Sequence, residues 1–399
     1  MNARKPNSLA LLRGTEYRRM LVRGAALLPW LGGVVAAVPV GRVLTLGPGA
    51  EFTDLAAAVS AAQDGDRIDV LPGTYRGHVA VISRRLHLRG LGPGATFSAA
   101  GRLAADMGIL VVRGDVTVEN LGFTGARRAH GNGAGIRFEH GRLDVQRCTF
   151  TDNEMGLLGS DHPKAELRVI DSAFGAAPRH HGQLHHLLYA STMARLEVHG
   201  CRFEGGWRGH LIKSRARIND IRYNLLRDGP SGQASYELEL AEGGHNLVLG
   251  NIIVQAPGTQ NRSIVAVGYN ADPGQGHSLV FAYNTLVNQA WWPARFLRIW
   301  PQNMRLAQTM IVAHNLFAGR GELGIPEGYR SAGNLQLAIA GLEDVLADKF
   351  GPRVPCFGEM PDPLAWPGGW LPRGEFSAPL GTRPRSDWGC SGAVSQGAR

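Results

Sequence analysis

Val198-His199-Gly200-Cys201-Arg202-Phe203 is one copy of a phrase that recurs through the middle of the chain. Earlier copies are Val118-Glu119-Asn120-Leu121-Gly122-Phe123, Val145-Gln146-Arg147-Cys148-Thr149-Phe150 and Val169-Ile170-Asp171-Ser172-Ala173-Phe174. Later ones are Ile221–Leu226 and Val248–Ile253, then Val280 with Asn284 and Leu286, and Val312 with Asn315 and Phe317. Between the closing apolar residues the spacing runs from 23 residues (Phe203 to Leu226) to 33 (Ile253 to Leu286). Self-similarity of this kind marks a solenoid. Each phrase alternates apolar residues at period two and is too short for a helix, so the coils are built of strands. The expected fold class is all-β, a parallel β-helix.

Stacking equivalent residues gives two inward rows. Phe123, Phe150, Phe174 and Phe203 form an aromatic one. Leu121, Cys148, Ser172, Cys201, Asn224, Asn251, Asn284 and Asn315 form the other. Buried asparagines can satisfy their amides from coil to coil, so these are structural rather than catalytic. Cys148 and Cys201 have a whole coil between them. Two strand spacings, roughly 9–10 Å, exceed the ~7 Å Cα reach of a disulfide, so both are buried thiols. Cys356 and Cys390 are left open as a pair.

Residues 1–40 read as a targeting segment. Arg18-Arg19-Met20-Leu21-Val22-Arg23 resembles a twin-arginine motif, and an apolar stretch from Ala25 to Val40 follows. That stretch is short for a membrane span and broken by Pro29 and Gly32-Gly33, and it suits a signal peptide; an uncleaved N-terminal anchor is the alternative. The expected location is periplasmic or secreted, as a monomer without stable membrane insertion once the signal is removed. Residues 41–325 then form the β-helix and 326–399 an irregular C-terminal capping segment, with a short helix at Ile339–Phe350. At the start, Glu51–Gln63 has apolar residues at helical spacing, with Thr53 or Asp54 as N-cap. Asp64-Gly65-Asp66, the strand Arg67–Leu71 and Pro72-Gly73-Thr74-Tyr75 follow. A strand, a capping helix and a DGD–strand–PGTY unit resemble the opening of the pectate-lyase-like superfamily. That resemblance extends from Arg42 to about Phe317 and implies a single-stranded right-handed parallel β-helix.

The formal net charge of +9 points to a polyanionic partner, acidic polysaccharide or nucleic acid. On an exported protein the polysaccharide is expected and nucleic acid is not. A basic surface with no specific partner is the plain alternative. Chemistry-bearing residue types converge on Gly209–Gly244. Alternation places Leu211, Lys213 and Arg215 outward on one strand, with His210 and Ser214 inward. On the next strand it places Ser235, Glu237 and Glu239 outward and Tyr236 inward. The preceding coil carries His180, His181, His185 and His186; Arg208 and, on later coils, Arg262, Arg298 and Trp300 complete the expected binding residues. A cross-strand ladder of salt bridges, at ~0.2–1 kcal/mol per pair, is the structural alternative. The histidines also have spacings usable for zinc or copper, but no acidic or cysteine partners accompany them.

Lys213-Ser214, followed by Tyr223-Asn224, resembles the base-bearing strand of chondroitinase-B/alginate-lyase-like polysaccharide lyases. That resemblance implies β-elimination on a uronate-containing polysaccharide, with Lys213 as base. Arg215 would neutralise the carboxylate, and His210 or Tyr236 would donate a proton. Glu237 and Glu239 would hold the two cations. The acidic calcium ligands of those enzymes fall on Gly206 and Arg208 here, so no cofactor is expected and calcium is disfavoured. Two other functions are open: a non-catalytic polysaccharide-binding β-helix using the basic face with Trp291, Trp292 and Trp300, and a hydrolase or epimerase using Glu237 and Glu239.

Overall fold

The computed structural model describes residues 41–129, 131–179, 184–353, 371–385 and 391–393. The targeting segment, His180, His181, Cys356 and Cys390 lie outside the described residues. Three sheets of 12, 10 and 11 strands run the length of the solenoid, and each coil adds one strand to each. One coil shows the order: Ile212–Ser214 in the ten-stranded sheet, Ile218–Arg222 in the twelve-stranded, Leu225–Arg227 in the eleven-stranded. Their neighbours one coil on, Leu238–Leu240, His245–Leu249 and Ile252–Gln255, pair with them in parallel. Among the described residues no helix is long and apolar enough to cross a membrane.

Both expected rows form. Phe97 extends the aromatic one, and the rings from Phe150 to Phe174 to Phe203 stack at centroid distances of 4.5 and 4.7 Å. In the other row Asn224, Asn251, Asn284 and Asn315 are fully buried, and Asn334 continues it. Asn251 Nδ2 donates to Asn284 Oδ1 (3.0 Å) and to the Ile221 carbonyl (2.9 Å). Its Oδ1 accepts from the backbone N–H (3.0 Å) and Nδ2 (2.9 Å) of Asn224. Just before the row each coil turns sharply through a left-handed residue, as at Arg147, Asp171, Tyr223, Tyr283 and His314, with φ between 46° and 56°. Such a turn takes backbone groups out of the ladders, and the asparagine amides satisfy them. Cys148 and Cys201 are buried free thiols; burial pushes Cys148 up to about 12 and raises Cys201 as well.

At the N-terminal end Leu55–Ala61 is the expected helix, capped by Asp54, whose carboxylate accepts from the Ala57 N–H at 2.9 Å. The other end differs from expectation. Coils continue past residue 325, with Arg330–Ala332 and Leu335–Leu337 pairing in register. The helix expected at 339–350 does not form. Ile339–Gly341 is a 3-10 turn, and Leu342–Asp344 pairs antiparallel with Lys349–Pro352. The apolar residues there serve a sheet surface instead of a helix stripe. Leu342, Val345 and Phe350 pack with Leu225, Ile252, Val254, Val287 and Leu316. Asp348, at φ 57°, binds Arg202 at 2.9 Å and also pairs with Arg227.

Asn251→Ala leaves two donors of Asn224 without their acceptor, at about 1–3 kcal/mol each. Phe174→Ala opens a cavity inside the stack, at roughly 3–5 kcal/mol. Denaturant midpoints of both variants should fall clearly below that of the parent. A midpoint unchanged in Asn251→Ala would contradict the role given to the row.

Candidate active site on the ten-stranded sheet

Strand register sets one outward row, a residue per coil: Arg137, Leu158, Tyr189, Lys213, Glu239, Ala266 and Arg298. Lys213 and Glu239 therefore face each other as expected, with Nζ 3.5 Å from Oε2. Within these strands alternation also holds for Ile212, Ser214, Leu238 and Leu240, which are buried as expected, but it fails at the strand entrances. The chain turns a corner just before the short strands Ile212–Ser214 and Leu238–Leu240, and at each corner two consecutive residues face inward. Leu211 and Ile212 are both fully buried, as are Glu237 and Leu238. Leu211 and Glu237, expected outward, are thus interior. Neither carboxylate oxygen of Glu237 has a hydrogen-bond partner, and it cannot hold Lys213 or Arg215. With Glu237 inside and Glu239 outside, the acid–base pair required for the hydrolase or epimerase reading does not exist. His210, expected inward, lies on the Glu239 side, its Nε2 3.1 Å from Oε2. Tyr236, also expected inward, is half-buried with its ring 5.1 Å from that of His210.

Backbone geometry fixes the histidines. Gly209 passes so close to the previous coil that a Cβ there would lie 2.1 Å from the His185 carbonyl oxygen. This close passage brings the His210 N–H to within 2.9 Å of His186 Nδ1, and one coil on the Tyr236 N–H reaches His210 Nδ1 at 3.2 Å. A backbone N–H can only donate, so each Nδ1 accepts and each ring carries its proton on Nε2. The two rings lie 4.8 Å apart. Burial, then the neighbouring His210 and Lys213, holds His186 well below the usual histidine range, leaving it neutral at pH 7. Burial alone would raise the Glu239 carboxyl, but His210 and Lys213 outweigh it and keep it below the ordinary carboxylate range.

Arg215 binds Glu242, with Nε 2.8 Å from Oε1, rather than either expected glutamate. Glu242 and, to a lesser degree, Tyr189 raise its guanidinium above the ordinary range, with burial acting against them. The Lys213 ammonium lies 5.1 Å from the centre of the same Tyr189 ring. Beside this group opens a cleft of about 420 Å³, lined among others by Arg137, Ser160, Asp161, His186, Tyr189 and Ser191. Arg137 is half-buried and its Nε is enclosed without a hydrogen-bond partner. Burial draws its guanidinium below the ordinary range, and the carboxylate of Glu139 acts against this. Nearby Arg113 and Arg142 have acidic partners, whereas no carboxylate of the described residues comes within ion-pair distance of Arg137. Arg137 and Tyr189 were not among the residues expected from the sequence.

Other expected residues are elsewhere. His185, expected to bind substrate, is fully buried with Nδ1 3.0 Å from the Pro178 carbonyl. Arg208 packs on the Trp207 ring at 5.6 Å. Arg262 and Arg298 are exposed on later coils, with Arg298 over the ring of Trp300. Among the described residues no three His, Cys, Asp or Glu side chains are grouped to hold a metal ion.

No protein-family model matches the sequence, and no curated protein matches it. The fold does match a solved one, the crystal structure of pectate lyase Pel9A. The TM-score is 0.54 at 11% sequence identity, over 83% of this chain and 95% of that one. At this identity the likeness carries the architecture alone: the chain has a parallel β-helix fold similar to that of this pectate lyase.

Burial pushes the Glu237 carboxyl well above its ordinary range, and Asp228 adds to the effect. Asp228 itself is raised to about 6 by burial, against N–H bonds from Ala234 and Gly206. A carboxyl raised in the folded state contributes stability at low pH that is lost as pH climbs above the ordinary value of 4.5 towards the folded one. Glu237→Gln should therefore raise the melting temperature more at pH 8 than at pH 4. An equal difference at both pH values would show that Glu237 is not held protonated.

Proposed function

We propose that the protein is an exported polysaccharide lyase that cleaves a uronate-containing acidic polysaccharide by β-elimination. The observation that carries this reading is the unpartnered Arg137 guanidinium on the same cleft as neutral His186 and Tyr189. Elimination removes the proton on the carbon next to the uronate carboxylate. The electrons form a carbon–carbon double bond, the bond to the glycosidic oxygen breaks, and that oxygen takes a proton. The reaction calls for a cation at the carboxylate, a group to take the first proton and a donor for the second. Arg137 fills the first role; its fork of donors matches a carboxylate. His186 presents only an Nε2–H, because its Nδ1 is occupied by the His210 N–H, and it suits the role of a hydrogen-bond donor to the departing oxygen.

Tyr189, acting as its phenolate, is the group placed to take the first proton and, as a phenol, to pass it to the departing oxygen, with Arg215 beside it and Lys213 over its ring. This moves the base away from Lys213. An ammonium seated against Glu239 is a charge partner, and it acts here by positioning Tyr189 and setting the field around it. Of the net charge of +9, residues 1–40 carry +5 (six Arg and Lys against Glu16), so the rest of the chain keeps +4, a small excess that favours an acidic polymer over a neutral one.

A panel of uronate polymers followed by the ultraviolet absorbance of the unsaturated product tests the proposal. Tyr189→Phe should abolish product while polymer binding persists. Arg137→Ala should lower kcat/KM by about 10²-fold or more, as expected for loss of a charge-stabilising group. Lys213→Ala should lower kcat without abolishing it. Reducing ends without the chromophore would indicate hydrolysis, and binding without product on any polymer would indicate a binding protein; either result overturns the lyase reading.

A further inference from the structure

Four strand steps beyond Tyr189 along the outward row, roughly 19 Å away at the usual strand spacing, stands Arg298. Its guanidinium carbon lies 4.8 Å from the centre of the Trp300 ring, and it has no acidic partner among the described residues. Tyr269, 58% exposed, meets the same Trp300 ring at 5.2 Å and 69°. We infer that Tyr269, Arg298 and Trp300 form a distal platform for the polysaccharide whose other end lies in the cleft, so that the protein selects long chains over short oligosaccharides. The inference rests on the polysaccharide reading above and adds the length of chain engaged.

The platform is built rather than incidental. Asn303 Nδ2 donates to the carbonyls of Gly268 (3.2 Å) and Tyr269 (2.8 Å), tying the turn after Trp300 to the coil that carries Tyr269. Gly268 has φ 81°, and Met304 fills the space behind it; a Cβ at Gly268 would lie 2.7 Å from the Met304 sulfur. Aromatic side chains held in this way lose little freedom on binding, which favours affinity. The chemistry is mixed: ring faces suit the carbon–hydrogen faces of sugars, and a free guanidinium suits a carboxylate. Exposed Arg262 adds positive charge on the neighbouring coil. A coil spacing near 4.8 Å is close to the advance of one sugar along an extended polysaccharide, so successive coils can serve successive sugars.

Binding of polygalacturonate and alginate oligosaccharides of graded length, followed by tryptophan fluorescence, tests the inference independently of turnover. Trp300→Ala and Arg298→Gln should each weaken long oligosaccharides about tenfold, the effect of ~1.4 kcal/mol, and leave trimers unchanged. Arg298 is exposed, so Arg298→Gln guards against a folding defect in Trp300→Ala. Equal loss at every length, no loss at any length, or no binding of either polymer overturns the inference. So does a single-stranded oligonucleotide that binds as tightly as the polymers and is weakened by Trp300→Ala. If no unsaturated product forms but the length-dependent loss is seen, the lyase reading fails and the platform stands.

Discussion

The interaction on which the rest depends is the bond between one buried asparagine amide and the next. In a stack of parallel coils the backbone ladders satisfy themselves along the sheets but not at the left-handed turns between them. There Asn251, Asn284 and Asn315 each give both amide protons and accept two, reaching the coil on either side. An amide one residue out of place would meet apolar side chains, and leaving such a group unsatisfied costs about 1–3 kcal/mol. The row therefore fixes register. Register in turn decides which side chains share the outward face of the ten-stranded sheet: the asparagines hold it from the coil of Lys213 onward, and in the earlier coils of Arg137 and Tyr189, where Cys148, Ser172 and Cys201 occupy the row, the phenylalanine stack runs alongside.

On that face the charged groups divide into two kinds. Lys213 with Glu239 and Arg215 with Glu242 are already neutralised, and such pairs contribute modestly to stability while leaving little charge for a ligand. No carboxylate of the described residues comes within ion-pair distance of Arg137 or Arg298, and Glu139 and Asp161 act on Arg137 only from farther off. His186 and His210 each accept a main-chain N–H at Nδ1, and Glu239 meets the Nε2 of His210, so their tautomers follow from the path of the backbone. A site of this kind is set largely before any ligand arrives.

The aromatic row, the asparagine row, the unpaired thiols and the capped helix were legible in the sequence because each follows from local spacing repeated coil after coil. The faces of the site residues were not. The strands that carry Tyr189, Lys213 and Glu239 are three residues long and start at corners, so alternation counted through Leu211 and Ile212, or Glu237 and Leu238, comes out reversed on one side. His210 and Tyr236 were misplaced for the same reason. Arg137 gave no signal, since Gly135-Ile136-Arg137-Phe138-Glu139 reads as any alternating strand with its charges outward; what singles Arg137 out is the lack of a partner, a property of three dimensions. The C-terminal hairpin was misread because its apolar residues fit a helix stripe as well as a sheet surface.

That hairpin changes how the solenoid holds together. Coils that touch only their neighbours can peel from an end one at a time, each opening costing little more than one interface. Leu342, Val345 and Phe350 lie across strands from several successive coils, and Asp348 joins Arg202 to Arg227 on two of them. The segment acts as a lengthwise batten: the coils beneath it must open together or not at all. Fraying is thereby confined to the coils outside its reach, and the later part of the outward row, with Arg298 and Trp300, is carried by coils that the batten binds into one cooperative block.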